Sequence, residues 1–276
     1  MKTKLLITTL LTAGILLFSG CSSDKDAVLE TDAPKHIEIT ERSDNEPTIP
    51  EPTPMTGETI NDTEESTQNS YEGSISVCID AGHGITNRKD KEPVSPGSDE
   101  KKAANVSGTA GEEEFNLAVA LKLREKLEKS GVSVDMTRTT PECDKSNIDR
   151  AQQGNDSDYC IRIHADGNSN SSLHGISVLV PKKSYYDDNT FVTKSNVLAQ
   201  TVLNSLISAT GAKNNGIVTR SDLTGFNWSK VPVILVECGF MTNPEERKLL
   251  ESEEYKDKIA GAIANGFLNY INNQDN

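Results

Sequence analysis

The sequence predicts an α/β fold, a single domain with a twisted, mostly parallel central sheet flanked by helices on both faces. Three observations carry that expectation. Short apolar runs rich in β-formers alternate with amphipathic helical patterns through residues 73–276, which is how strands joined by crossover helices read in a sequence. Each strand run is bounded by glycine, proline or a polar turn, so the runs are strand-length rather than helix-length. Three of them end in a titratable side chain beside glycine: His83 in Val77–Gly84, His164 in Tyr159–Gly167 and Glu237 in Val231–Gly239. Ligands of open α/β sheets bind outside the carboxyl ends of the strands, so these three ends are expected to meet in one site.

The chain of 276 residues does not offer all of them for folding. Lys2 and Lys4 precede an apolar run from Leu5 to Phe18, and small residues lead to Cys21. A short apolar core with small residues at its end reads as a secretory signal peptide over 1–20 rather than a spanning helix. The ending Phe18-Ser19-Gly20-Cys21 is similar to the lipobox of bacterial lipoproteins, which implies lipidation of Cys21. An ordinary secreted protein with a free Cys21 is the plainer alternative.

Residues 22–72 hold 14 acidic and 3 basic side chains, so most of the net charge of -14 belongs to this segment. Once Lys2 and Lys4 are counted, residues 73–276 carry about -5. The acidic stretch is rich in Thr, Pro, Glu and Asp with few large apolar residues, too little to bury a core. We therefore expect a linker over 21–72, reaching at most roughly 170 Å if extended and more than about 40 Å as a self-repelling coil. Tethered by an acylated Cys21, the folded part would stand off the outer face of a membrane. Neither half has the basic excess that phosphate binding needs, which disfavours nucleic acid.

The remaining 204 residues suffice for one core. Ile85 to Ala110 shows no periodicity and predicts a mobile loop over the site. Helices are expected from Glu112 to about Gly131, with Leu117, Leu121, Leu123 and Leu127 as the apolar face; around Asn147–Gly154; from about Asn196 to Ala209, with Val197, Leu198, Val202, Leu206 and Ile207; and from about Ser252 to Ile271. Further strands are expected at Val132–Arg138 and Gly175–Val180, and a loop or edge strand carrying Arg220, Asp222, Phe226 and Trp228. Asn243-Pro244-Glu245-Glu246 predicts a helix start with Glu246 closing a capping box. Cys78, Cys143, Cys160 and Cys238 lie mostly in apolar strands and read as buried free thiols, with a disulfide left open; no CxxC pair supports a thiolate zinc cluster.

Two histidines and a carboxylate with one open position form a common ligand set for catalytic zinc. Zinc lowers the pKa of a bound water and polarises a carbonyl, while a second carboxylate moves the proton. The residues alone say metal hydrolase without saying what is cut. Ile79–Gly84, Glu112 four residues before Asn116, Ile163–Gly167 and Val236–Glu246 together resemble the zinc-dependent N-acetylmuramoyl-L-alanine amidases of the Amidase_3 family, over residues 74–272. The resemblance implies that His83, Glu112 and His164 bind one Zn2+ and that Glu237 is the catalytic base. It further implies cleavage of peptidoglycan between the lactyl group of N-acetylmuramic acid and L-alanine. Ile85 stands where the family carries another glycine, and the loop after it is longer than in compact members.

Several readings compete. Glu112 is preferred to Glu113 as ligand by its register to Asn116, and three acids in a first helical turn also serve the helix dipole. Arg162 shares a strand face with His164 and is a candidate for positioning substrate, with a structural arginine as the plainer reading. Cys238 as a nucleophile is disfavoured because it alternates away from Glu237. Phe226 and Trp228 suit sugar stacking or core packing equally, and His36 and His174 read as bystanders. A zinc peptidase or deacetylase acting on another wall bond, or a silent wall-binding lipoprotein, remain the alternatives from other classes. No activator protein is identifiable from the residues.

Overall fold

In chain order the elements of the computed structural model, which describes residues 75–186 and 189–274, are β1 (Ser76–Ala81), β2 (Lys91–Pro93), β3 (Lys101–Ala103), α1 (Glu112–Lys129), β4 (Ser133–Met136), α2 (Asn147–Gly154), β5 (Tyr159–Asp166), β6 (Ile176–Pro181), α3 (Thr190–Thr210), β7 (Asn214–Arg220), α4 (Thr224–Asn227), β8 (Val233–Phe240), α5 (Pro244–Glu251) and α6 (Glu253–Asn272). The expected signal peptide, Cys21 and acidic linker lie outside the described residues. No helix among the described residues is long and apolar enough to cross a membrane.

Six strands form one sheet in the order β4-β1-β5-β8-β6-β7. All neighbours are parallel except β6 and β8, so the expected mostly parallel α/β sheet is present. The central strands bury both faces. On one side Ile79, Ile161, Ile163, Ile234 and Val236 meet α1, α3 and α6 in the main core. On the other, Cys78, Cys160, Leu179, Val233 and Leu235 pack with Phe226 of α4 in a smaller cluster, and α2 lies against β1 and α4. Cys78, Cys143, Cys160 and Cys238 are free and buried.

The structure departs from the sequence expectations in four places. The buried stripe of α1 is Phe115, Val119, Ala120, Leu123 and Leu127, with Leu117 and Leu121 only partly buried at its edge. Counting leucines shifts the stripe from the one that spacing through Phe115 and Val119 defines. In α3, which starts earlier than expected, Val197 is 47% exposed. Ser195 takes a core position instead, its hydroxyl donating to Phe191 O and accepting from Val233 N.

Glu246 does not close a capping box. Asn243 caps α5 through Glu245 N and Glu246 N, while the Glu246 carboxylate accepts from Gly175 N at 2.8 Å and Phe240 N at 2.7 Å. It thereby ties the start of α5 to the strand ends.

Residues 85–110 contain a hairpin rather than an unstructured loop. β2 and β3 pair antiparallel, and the segment is fastened on several sides: Trp228 Nε1 donates to Pro93 O, Asn227 Nδ2 to Val94 O, Ile148 N to Glu92 Oε2 and Asn147 Nδ2 to Ala104 O. Strands of three residues with charged side chains carry too few positions for a period of two to be read.

Candidate metal centre and catalytic carboxylate

β1 ends at Ala81, and Gly82 N still donates to Ile163 O of β5. His83 then adopts φ 58, a left-handed conformation unusual for a residue with a Cβ, and Gly84 follows at φ 129. Backbone strain of this kind persists only where the surroundings over-determine it. Here two arginines do so: Arg138 donates to Ala81 O, Gly82 O and Glu113 O, and Arg150 donates to His83 O and Asn105 Oδ1. Gly82 has its own reason to be glycine, because a Cβ there would collide with the His164 imidazole.

The chain between β1 and α1 sets the His83 ring. Nδ1 lies 2.9 Å from Val106 O, and since a carbonyl only accepts, Nδ1 carries a proton. Nε2 is 3.1 Å from Glu112 Oε1. Glu112 is the first residue of α1, and its other oxygen accepts from Thr109 N at 2.8 Å. From β5, His164 brings Nδ1 to 3.2 Å from the same Oε1. Glu113 is occupied elsewhere, accepting from Gly108 N.

The electrostatics follow from this crowding. Burial alone would raise the Glu112 carboxyl, but the hydrogen bonds from His164 and His83 outweigh it and hold the group far below the usual carboxylate range. Burial pushes His164 down to about 4 against the pull of Glu112, so its imidazole is neutral near pH 7. His164 Nε2 is buried without a hydrogen-bond partner. His83, Glu112 and His164 each offer one ligand atom, and these lie within 4.8 Å of one another. One carboxylate oxygen wedged between two imidazole nitrogens, all buried or half-buried, is an arrangement that a cation satisfies better than the three groups satisfy each other. Two imidazoles and a carboxylate suit zinc, with a coordination position left for water or substrate.

Glu237 stands next to this cluster. It is the register partner of His164 across β5 and β8, so the two side chains share a face of the sheet. The residue is 8% exposed, and its Oε2 is buried without a hydrogen-bond partner. Burial first, then the negative charges of Asp166 and Glu112, push it well above the ordinary value, with Arg220 opposing. Asp166 is pushed up to about 6, chiefly by burial. Such a carboxyl holds a proton more readily than an exposed one and is suited to general acid–base work.

The remaining candidates fall out of the site. Arg162 is on the His164 face as expected, but it is 6% exposed, its Nε lies 2.8 Å from Asp80 Oδ2, and Gly225 packs directly on its guanidinium. That is the contact pattern of a structural arginine. Cys238 packs in the main core, away from Glu237. Phe226 is core, and Trp228 is pinned to Pro93 of the hairpin. The His174 ring makes a local contact, Nδ1 to Ser172 O, and the His174 backbone oxygen accepts from Asn215 Nδ2. A surface cavity of about 590 Å³, lined by α1, α3 and α6 residues such as Lys126, Asn204 and Asn265, includes none of the clustered groups. Sequence reasoning used Asn116 only as a register mark for Glu112; its Nδ2 reaches Gly82 O at 3.2 Å and Glu112 Oε1 at 3.4 Å, and Arg138 and Arg150 were not singled out. Asn116 is fully buried, and a buried amide needs partners.

Comparisons with known proteins agree with this geometry. The family model described as N-acetylmuramoyl-L-alanine amidase matches residues 77–269. The N-acetylmuramoyl-L-alanine amidase LytC of Bacillus subtilis is 28% identical over 179 residues, 64% of this chain and 34% of that protein. The probable cell wall amidase LytH of Staphylococcus aureus is 26% identical over 195 residues, covering 71% of this chain and 58% of that one. The chain thus spans about a third to three fifths of the length of these curated relatives. Among solved structures, the N-acetylmuramyl-L-alanine amidase Ami1 of Mycobacterium smegmatis superposes with a TM-score of 0.65 at 28% identity, covering 72% of this chain and 98% of that one. An N-acetylmuramoyl-L-alanine amidase of Clostridium difficile gives 0.57 at 31% identity, with 72% and 97% covered.

Proposed function

Because the chain belongs to the N-acetylmuramoyl-L-alanine amidase family, we propose that it hydrolyses the amide joining the lactyl group of N-acetylmuramic acid to L-alanine in peptidoglycan. One observation carries the reading: His83, Glu112 and His164 converge within 4.8 Å beside Glu237, a buried carboxylate with an unpartnered oxygen on the same sheet face. His83 Nε2, Glu112 Oε1 and His164 Nδ1 are the atoms that would hold Zn2+. Held there, zinc supplies Lewis acidity, lowering the pKa of water and polarising the scissile carbonyl.

This chain's own residues do the rest. Val106 O keeps the His83 proton on Nδ1, and Thr109 N orients the Glu112 carboxylate. Glu237, ionised, takes a proton from the attacking water; protonated, as its burial favours, it gives that proton to the departing L-alanine nitrogen. Arg162 supports the strand bearing His164 by neutralising Asp80.

The same proposal covers the remainder of the chain. Cleavage before Cys21, acylation of that cysteine and an acidic linker over 21–72 would hold residues 73–276 outside the cytoplasmic membrane, facing the wall. Digestion of purified peptidoglycan by zinc-reconstituted protein tests the activity. New amino-terminal L-alanine with intact glycan chains is expected by mass spectrometry, and opening of a different bond would replace the reading. Labelling with a radioactive fatty acid, abolished by Cys21→Ala, tests the anchor.

A further inference from the structure

We propose that Arg220 is a substrate-binding residue that takes a carboxylate on the peptide arm of the substrate; this rests on the amidase reading above. The register places it. Leu179 of β6 is paired with Leu235 of β8 and with Val218 of β7. Glu237 lies two residues beyond Leu235 and Arg220 two beyond Val218. Paired residues share a face and faces alternate with a period of two, so Arg220 and Glu237 emerge on the same side of the sheet, Arg220 opposite Pro181 and Glu237 opposite Ser177, four positions apart along β6, a reach that suits a group on the peptide arm rather than the scissile amide. Arg220 is also the cation whose charge opposes the upward push on both Glu237 and Asp166.

The guanidinium is fixed in advance. Its Nε and Nη2 donate to the two oxygens of Asp222, each at 2.8 Å. Those hydrogen bonds hold the Asp222 carboxyl down at about 2, so the fork stays charged throughout the working pH range. Asp222 is itself braced by Lys102 of β3, whose Nζ reaches its backbone oxygen at 3.0 Å and Oδ2 at 3.5 Å. The hairpin inside residues 85–110 thus has a task, which is to buttress this arginine.

A guanidinium carries five N–H donors. The fork to Asp222 uses two, and among the described residues the other three have no acceptor. Arg150 and Arg162 differ in being closed in: they lie 3.2 and 2.8 Å from the buried Asp80 with side chains 2% and 7% exposed, whereas the Arg220 side chain is 14% exposed. A partly exposed, pre-oriented fork on the same sheet face as Glu237 matches the geometry of carboxylate recognition. Asp222 and Lys102 act through it as positioning residues.

The test compares a muramyl peptide whose peptide carboxylates are free with the same compound amidated, using zinc-loaded protein. Wild type is expected to favour the free acid about tenfold in kcat/KM, mainly through KM, as a charge-assisted hydrogen bond predicts. Arg220→Ala should bring the ratio to about one, and Asp222→Asn should lower it. A merely structural arginine would depress turnover of both substrates alike and leave the ratio unchanged, which would overturn the proposal, as would a ratio of one in wild type. Should Arg220→Ala not fold, Arg220→Gln and the salt dependence of the wild-type ratio decide instead, since the preference shrinks on screening only if it is Coulombic. A wild type that cleaves neither compound sinks the amidase reading itself and takes this inference with it.

Discussion

His164 and Glu237 are direct partners across β5 and β8, one in the three-residue cluster that fits a cation and the other carrying a buried, unpartnered carboxylate oxygen. The two roles are thereby separated by one inter-strand spacing. Substitution should separate them as well. Glu237→Gln is expected to keep the zinc content of wild type while turnover falls by about 10²–10⁴-fold, the usual range for a general acid–base group. Metal analysis alongside a peptidoglycan assay checks this, and loss of zinc from the variant would place Glu237 among the ligands instead.

Glu112 and Glu113 are adjacent, and the structure gives them different work. Glu112 Oε1 faces both imidazoles, whereas Glu113 accepts from Gly108 N. Glu112→Ala should therefore leave the protein without stoichiometric zinc, and Glu113→Ala should retain it with at most a modest loss of stability. Equal zinc contents in the two variants would contradict the assignment.

Legibility in the sequence followed how local each signal is. His83, His164 and Glu237 could be read because each ends an apolar strand run, and a parallel sheet brings strand ends together. Glu112 could not be read that way: an acid at a helix start already has a reason to be there, and only its register to Asn116 in the family resemblance singled it out. Arg162 shows the limit of periodicity. Its face was correct, but its partner Asp80 lies 82 positions earlier in the sequence and no spacing rule reports it. The hairpin of β2 and β3 escaped for a different reason, because its order comes from hydrogen bonds to Asn147, Ile148, Asn227 and Trp228 rather than from an apolar pattern.

Asp80 is 1% exposed and meets Arg150 at 3.2 Å, Arg162 at 2.8 Å and the Thr137 hydroxyl at 2.6 Å. Burial would raise its carboxyl, yet the two arginines and Thr137 hold it far below the ordinary 3.8. A group depressed in the folded state stabilises above its unfolded pKa, and that stability is lost as pH falls through the folded value. Wild type should therefore lose stability progressively below about pH 4, and Asp80→Asn should show a flatter dependence there. At pH 7 the variant leaves two buried guanidinium groups without their counter-charge, at about 3–5 kcal/mol. Urea melts of the two proteins between pH 2.5 and 7 (roughly the window this linkage spans) check both statements; parallel curves would remove Asp80 as the source.

Gly82 links the fold to the candidate metal centre. A Cβ at this position would overlap the His164 ring at Cε1, Nε2 and Cδ2, and the backbone cannot retreat, since Gly82 N is bonded to Ile163 O and Gly82 O accepts from Arg138 and Asn116. The imidazole must turn instead, which takes Nδ1 away from Glu112. Gly82→Ala should therefore weaken zinc binding by about 10–100-fold, the range seen when groups that orient a ligand are disturbed, while the melting temperature of the metal-free protein falls by only a few degrees, roughly as for a loss of about 1 kcal/mol. Zinc titration with a competing chelator measures the first effect and thermal unfolding in chelator the second. Unchanged affinity would mean that the ring has room to keep its place, and that glycine is required here for another reason.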